Sequence, residues 1–202
     1  MNNKVVRGVS AAVLTPRLTD GSVDAPSLRK LLAFLLNKGI SSFALNGATG
    51  EFCITTPAQL CTLLTTAREV AGDSAQFLCG VGAADSAQSL VFARMAQDAG
   101  VKSLLLPMPY FFPYQQDDLE QFCRNVAASV SIPVLLYNLP QFTSGLEKET
   151  VRRLISEVPN IVGIKDSGGS LEILRHLTER GVDACRIVGD DSVLSAALSA
   201  EV

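Results

Sequence analysis

A single histidine, His176, serves a chain of 202 residues. That scarcity argues against zinc-type metal catalysis and against a Ser-His-Asp triad, both of which lean on imidazole. His176 falls in a helical stretch and reads as a helix-surface residue. The five cysteines, Cys53, Cys61, Cys79, Cys123 and Cys185, are odd in number and scattered, with no CxxC pair among them. They read as free core thiols in a reducing compartment rather than as a disulfide frame. Seventeen Lys and Arg against twenty Asp and Glu give a net charge of −3, and no basic cluster interrupts the chain. The electrostatic footprint of a nucleic-acid binder is therefore missing. No apolar run approaches the ~20 residues that span a bilayer. Met1–Arg7 carries no apolar signal-peptide stretch, so the expected location is the cytoplasm. No GxGxxG opens a crossover, which leaves a dinucleotide fold without support.

What is present is a regular alternation. With 48% hydrophobic residues the chain has material for one compact domain over residues 1–202. Short apolar runs predict strands at Val9–Leu14, Ser42–Asn46, Gln76–Val81, Ser103–Leu106, Val134–Asn138, Ile161–Ile164 and Cys185–Val188. Amphipathic stretches between them predict helices at Ala25–Lys38, Pro57–Ala71, Ser86–Ala99, Asp117–Val130, Lys148–Val158, Leu171–Arg180 and Ser192–Ala200. Pro57 after Thr55-Thr56 suits a first helical turn, and Gly39, Gly100 and Gly181 suit helix ends. Each unit is about thirty residues, the size of a parallel crossover. Seven such units predict a TIM (β/α)8 barrel truncated after the seventh, with the eighth strand missing from this sequence. An open edge of that kind leaves unpaired backbone groups.

Chemistry-bearing residues gather at the carboxyl ends of these strands, where barrel active sites are built. Lys165 ends the run Ile161-Val162-Gly163-Ile164 and precedes the turn Asp166-Ser167-Gly168-Gly169. An amine whose stem lies among apolar neighbours is favoured in its neutral, imine-forming state; the competing reading is an ordinary solvated lysine. Asn46-Gly47-Ala48-Thr49-Gly50-Glu51 closes the second strand, and its paired glycines let backbone N–H groups cradle a carboxylate. Glycine-rich turns are also common without function. Pro107-Met108-Pro109-Tyr110-Phe111-Phe112-Pro113-Tyr114 is a stiff aromatic loop suited to packing at a subunit contact. Tyr137, in Tyr137-Asn138-Leu139-Pro140, can exchange protons in the barrel mouth or simply pack there.

The set Leu14-Thr15-Pro16, Gly47-x-Thr49-Gly50-Glu51, Pro109-Tyr110-Phe111, Tyr137-Asn138-x-Pro140, Gly163-Ile164-Lys165-Asp166 and Gly189-Asp190-Asp191 resembles the dihydrodipicolinate synthase / N-acetylneuraminate lyase family over essentially the whole chain. The resemblance implies a class I pyruvate-dependent aldolase or lyase on a (β/α)8 barrel, with C-terminal helices that this sequence lacks. It implies that Lys165 condenses with the keto group of pyruvate and that Tyr137 shuttles protons. It further implies that Thr49 and the Gly47–Gly50 backbone hold the carboxylate. No metal or organic cofactor is then needed. A homo-oligomer, dimer or tetramer, is implied as well, with Tyr110 and Phe111 near one contact.

Departures from the synthase branch of that family narrow the second substrate. Ala48 and Phe111 stand where hydroxyls are common, and Gln141-Phe142-Thr143-Ser144-Gly145 holds no arginine for a second carboxylate. Gln141, Thr143 and Ser144 suit a hydroxylated partner. The leading expectation is cleavage of a 2-keto-3-deoxy sugar acid, or a related 2-oxo acid, to pyruvate and an aldehyde. The alternatives are 4-hydroxy-tetrahydrodipicolinate synthase activity, joining pyruvate to aspartate semialdehyde, and an inactive barrel remnant. Asp190 and Asp191 disfavour a phosphorylated sugar, or else cap the seventh helix.

Overall fold

A computed structural model of the chain describes residues 8–202; Met1–Arg7, whose lack of a signal-peptide stretch bore on location, lies outside them. Seven strands form one sheet in the order β1 to β7, every pair parallel. They are β1 (Ala11–Ala12), β2 (Ser42–Leu45), β3 (Gln76–Gly80), β4 (Ser103–Pro107), β5 (Val134–Asn138), β6 (Ile161–Asp166) and β7 (Cys185–Val188). Helices alternate with them: α1 (Ala25–Asn37), α2 (Pro57–Ala71), α3 (Ser86–Asp98), α4 (Gln116–Ala128), α5 (Lys148–Glu157), α6 (Glu172–Glu179) and α7 (Leu194–Ser199). This is the curled (β/α) barrel architecture through seven units, with β1 and β7 at the edges among the described residues.

The period-two pattern of each strand divides its side chains between two cores. On β4 and β5, Leu104, Leu106, Val134 and Leu136 face the helices and join Leu28, Leu60, Phe92, Phe122 and Leu154. Their neighbours Leu105, Leu135 and Tyr137 face inward, with Ala44, Leu78, Phe52 and Leu139. The helices begin where local chemistry starts them. Thr56 caps α2 in a capping box with Gln59, and Pro57 fills the first turn.

Four expectations shift. β1 is reduced to two residues because it pairs only with β2, at Ala11↔Phe43 and Ala12↔Ala44, and Pro16 removes a donor soon after. β6 runs two residues beyond Ile164, because Tyr137 pairs with Lys165 and Asn138 with Asp166. Lys165 is therefore a strand residue, and its stem is fixed by the ladder rather than by a turn. His176 is buried at 8% exposure, with Nε2 at 3.0 Å from Glu149 Oε1, because the apolar face of α6 packs toward α5. Cys79 and Cys123 are core thiols as expected, and burial pushes Cys79 up to about 12; Cys53 and Cys61, expected in the core as well, are exposed instead, and Cys185 is half-buried. Among the described residues no helix is long and apolar enough to cross a membrane.

Candidate active site

The Tyr137↔Lys165 register puts both side chains on the inner side of the sheet. Lys165 Nζ donates to Tyr137 Oη at 3.0 Å and stands 4.2 Å from the centre of its ring. Tyr137 is 3% exposed, so the phenol is fixed by packing. The lysine stem needs space on its β7 side, and Gly189 supplies it. A Cβ at Gly189 would fall 2.1 Å from Ser167 Oγ and 3.0 Å from Lys165 Cε. The Gly189 N–H donates to Asp166 O at 2.8 Å, holding that close approach.

One residue further along, the same two strands are tied on their outer side. Asn138 Nδ2 donates to Asp166 Oδ1 at 2.9 Å, and the Gly168 N–H donates to the same oxygen at 2.9 Å. Asn138 Oδ1 accepts from the Leu146 N–H at 3.1 Å, and both side chains are 5% exposed. A cleft of about 380 Å³ opens beyond this pair, lined also by Lys148, Glu149 and Glu172; neither Lys165 nor Tyr137 borders it.

The loop after β2 meets the phenol from the other side. Ala48 and Tyr110 pack against the inner cluster that contains Tyr137, and a Cβ on Gly47 would lie 4.0 Å from Tyr137 Cε1. Gly50 and Phe52 donate N–H bonds to Gly47 O at 3.1 and 3.2 Å, and Glu51 to Ala48 O at 3.0 Å. Among the described residues the Gly47, Ala48 and Thr49 N–H groups are left without hydrogen-bond partners, and N–H groups so placed can take a carboxylate. Lys165, Tyr137 and the Gly47–Gly50 loop are thus brought together.

The remaining residues singled out in the sequence have other neighbours. Phe111 is 84% exposed with φ of 88° and stacks edge-on with Phe112, away from the phenol. Tyr110 turns its hydroxyl to Cys53 O at 3.3 Å, and burial raises its pKa. The polar groups expected to meet a hydroxylated substrate are engaged elsewhere. Gln141 Nε2 donates to Ser167 O at 3.0 Å, Thr143 Oγ1 to Leu139 O at 3.2 Å, and Ser144 Oγ accepts from the Tyr114 N–H at 2.9 Å. Phe142 projects outward at 69% exposure. Asp190 caps the short helical turn Asp191–Val193 that precedes α7, not α7 itself: Oδ1 accepts from the Ser192 hydroxyl at 2.6 Å and its N–H at 2.9 Å, which lowers its pKa.

Residues the sequence reading passed over sit behind the site. Asn46, Arg17 and Thr55 form a hydrogen-bonded chain under the β2 loop. Thr15 and Ser167 bury hydroxyls that have no partner. The only signal for Asn46 was its place before a glycine at a strand end, where asparagine tolerates the left-handed backbone. Among the described residues no three His, Cys, Asp or Glu converge as a metal would require.

The model of the dihydrodipicolinate synthetase family matches residues 5–201. The 4-hydroxy-tetrahydrodipicolinate synthase of Azoarcus sp. strain BH72 is 35% identical over 194 residues, 95% of this chain and 66% of that relative. The dihydrodipicolinate synthase of Acinetobacter baumannii, solved with pyruvate, superposes with a TM-score of 0.87 at 31% identity, covering 94% of this chain and 65% of that one. YagE, a prophage protein of the same family from E. coli K12 solved with pyruvate, superposes at 0.88 with 25% identity, covering 95% of this chain and 66% of that one. The chain thus spans slightly less than two thirds of these relatives' lengths. By sequence and by fold, the chain belongs to the dihydrodipicolinate synthetase family.

Proposed function

We propose that Lys165 forms a Schiff base with pyruvate in a class I aldolase or lyase reaction. The single observation that carries this reading is the 3.0 Å bond between Lys165 Nζ and Tyr137 Oη beside a loop whose Gly47, Ala48 and Thr49 N–H groups have no partner. The neutral amine attacks C2 of pyruvate, and the carbonyl oxygen takes a proton to give a carbinolamine. Tyr137 is within reach to relay a second proton to that oxygen, which leaves as water. The protonated imine then stabilises the electron pair released when a C3 proton passes to the Tyr137 oxygen or to water; the resulting enamine adds to an aldehyde whose oxygen takes up a proton, and water hydrolyses the new imine to free Lys165. The Ala48 and Thr49 N–H groups hold the pyruvate carboxylate throughout.

For the second substrate, the named relatives support condensation with aspartate semialdehyde better than the sugar-acid cleavage expected from sequence. The engagement of Gln141, Thr143 and Ser144 with the backbone removes part of the case for a hydroxylated partner. The sugar-acid reading stays as the second one, on the observation that Phe142, Ala48 and Phe111 offer neither arginine nor hydroxyl. The proposal extends to a cytoplasmic homo-oligomer, dimer or tetramer, with residues 1–202 in one domain.

Borohydride reduction with pyruvate tests the first step. We expect a stable mass increment of one reduced pyruvate that is absent from Lys165→Ala. No adduct on folded wild-type protein would overturn the proposal in favour of an inactive remnant. Product analysis with aspartate semialdehyde and with 2-keto-3-deoxy sugar acids then separates the two substrate readings.

A further inference from the structure

Asn46 is completely buried, yet it is neither in the apolar core pattern nor among the groups that meet pyruvate in the reaction above. It carries a φ of 51°, in the left-handed region, immediately before Gly47. An L-residue adopts that backbone at a cost that asparagine bears better than most. Its side chain is held at both ends. Nδ2 donates to Gly80 O at 2.8 Å on β3, and Oδ1 accepts from Thr55 Oγ1 at 2.8 Å in the segment leading to α2. Thr55 Oγ1 in turn accepts from Arg17 Nη2 at 3.2 Å. The Arg17 guanidinium also donates to Gly21 O at 3.1 Å and lies 3.4 Å from Glu51 Oε2, at the far end of the loop.

The backbone is confined as tightly as the side chain. A Cβ at Gly80 would fall 1.9 Å from Asn46 O, so β3 presses directly on the Asn46 carbonyl. A Cβ at Gly50 would meet Asn46 N and Cα at 3.1 Å, so the loop folds back over the residue that starts it. The direction in which the chain leaves β2, and so where the Ala48 and Thr49 N–H groups point, is set at Asn46.

We infer that Asn46 is a positioning residue for the carboxylate-binding loop, bracing its left-handed entry through Gly80 on one side and Thr55 and Arg17 on the other. This rests on the reading of that loop as the pyruvate carboxylate site. The consequence is a division of labour. Asn46 governs how tightly pyruvate is held, while Lys165 and Tyr137, tied to each other across β5 and β6, govern the chemistry.

The test uses the full chain and three substitutions. Asn46→Gly keeps the left-handed backbone and removes both side-chain bonds; Asn46→Ala removes both kinds of support. Thr55→Val breaks the link to Arg17 at a part-buried position should the Asn46 variants fail to fold, and Thr55→Ser restores the hydroxyl. Pyruvate concentration is varied in borohydride trapping, and amide exchange is followed at Gly50, Glu51 and Phe52. The half-saturating pyruvate concentration should rise about tenfold or more in the Asn46 variants and less in Thr55→Val, with the rate at saturation nearly unchanged. Thr55→Ser should match the wild type. Exchange at the three loop amides should quicken about tenfold or more.

Unchanged half-saturation with unchanged loop exchange in a folded Asn46→Gly variant would overturn the inference. So would a loss confined to the rate at saturation. If the wild type traps no pyruvate, the functional reading falls instead. Loop exchange, which needs no activity, then decides alone whether Asn46 orders the loop.

Discussion

Asn138 sits between the two strands that carry the lysine and the phenol, and replacing it tests how those strands are held. In Asn138→Ala two buried bonds disappear, the one donated to Asp166 Oδ1 and the one accepted from the Leu146 N–H. Asp166 keeps the Gly168 N–H as a donor, but the Leu146 N–H is left without a partner. Each lost bond is worth about 1 kcal/mol, and a buried unpaired donor costs about 1–3 kcal/mol more, so the total is about 3–5 kcal/mol. For a chain of this length that lowers the melting temperature by about 6–20 °C. Asn138→Asp carries a second signature. Its oxygen still accepts from Leu146, but it sets a carboxylate against Asp166 where a donor had been, so one of the two is pushed to hold a proton. A carboxyl whose folded pKa lies above its unfolded value of about 3.9 is penalised in full above the folded value. The deficit then shrinks as pH falls and is gone below the unfolded value. Urea unfolding at pH 7 and at progressively lower pH measures both variants. A loss below about 0.5 kcal/mol in Asn138→Ala, within the range of an ordinary surface change, would refute the reasoning. So would a deficit in Asn138→Asp that does not narrow with acid.

Two further outcomes follow from contacts outside that pair. Gly189→Ala places a methyl 2.1 Å from Ser167 Oγ and 3.0 Å from Lys165 Cε, so the stem must move. Trapping of pyruvate at saturation should slow by about tenfold or more, and an unchanged rate would show that the stem is not confined there. Burial by itself would raise the Glu120 pKa, but hydrogen bonds from Arg124 and Arg153 outweigh it and hold the carboxyl below its ordinary value. Glu120→Gln should therefore cost about 1 kcal/mol above the unfolded carboxylate pKa of about 4.3. That cost disappears as pH falls through the lowered folded value; an equal deficit at pH 7 and pH 3 in urea unfolding would contradict it.

The order of strands and helices was legible because burial on a parallel sheet imposes runs and periods that no other arrangement needs. Val134–Asn138 is the clearest case, read from its apolar run and found with the same ends. Ile161–Ile164 was read too short, because hydropathy stops at Lys165 while backbone pairing does not. The lysine and tyrosine were visible as chemical types at strand ends. The bonds of Thr143, Ser144 and Gln141 were not, since a polar side chain carries no mark of whether its partner is substrate or its own backbone. Asn46 was hidden for a related reason: its role lies in a φ value and in contacts to Gly80 and Thr55, each many residues away.

These observations separate the site into a half set by strands and a half set by loops. Tyr137 and Lys165 alternate with Asn138 and Asp166, so the period of two sends one pair to the inner side of the sheet and the other outward to lock the register. A change that loosens the lock also blunts the pair, which ties this part of the site to the stability of the sheet. Phe111 and Phe142 answer to no such constraint; both project from loops into solvent, at 84% and 69% exposure. Substitution there costs the fold little, so these loops can change without disturbing the ladder that places Lys165 beside Tyr137. Substitutions at Phe111 and Phe142 should therefore leave the proposed trapping of pyruvate at Lys165 intact, measured by the borohydride adduct; loss of the adduct in a folded variant would show that these loops reach the strand-borne pair.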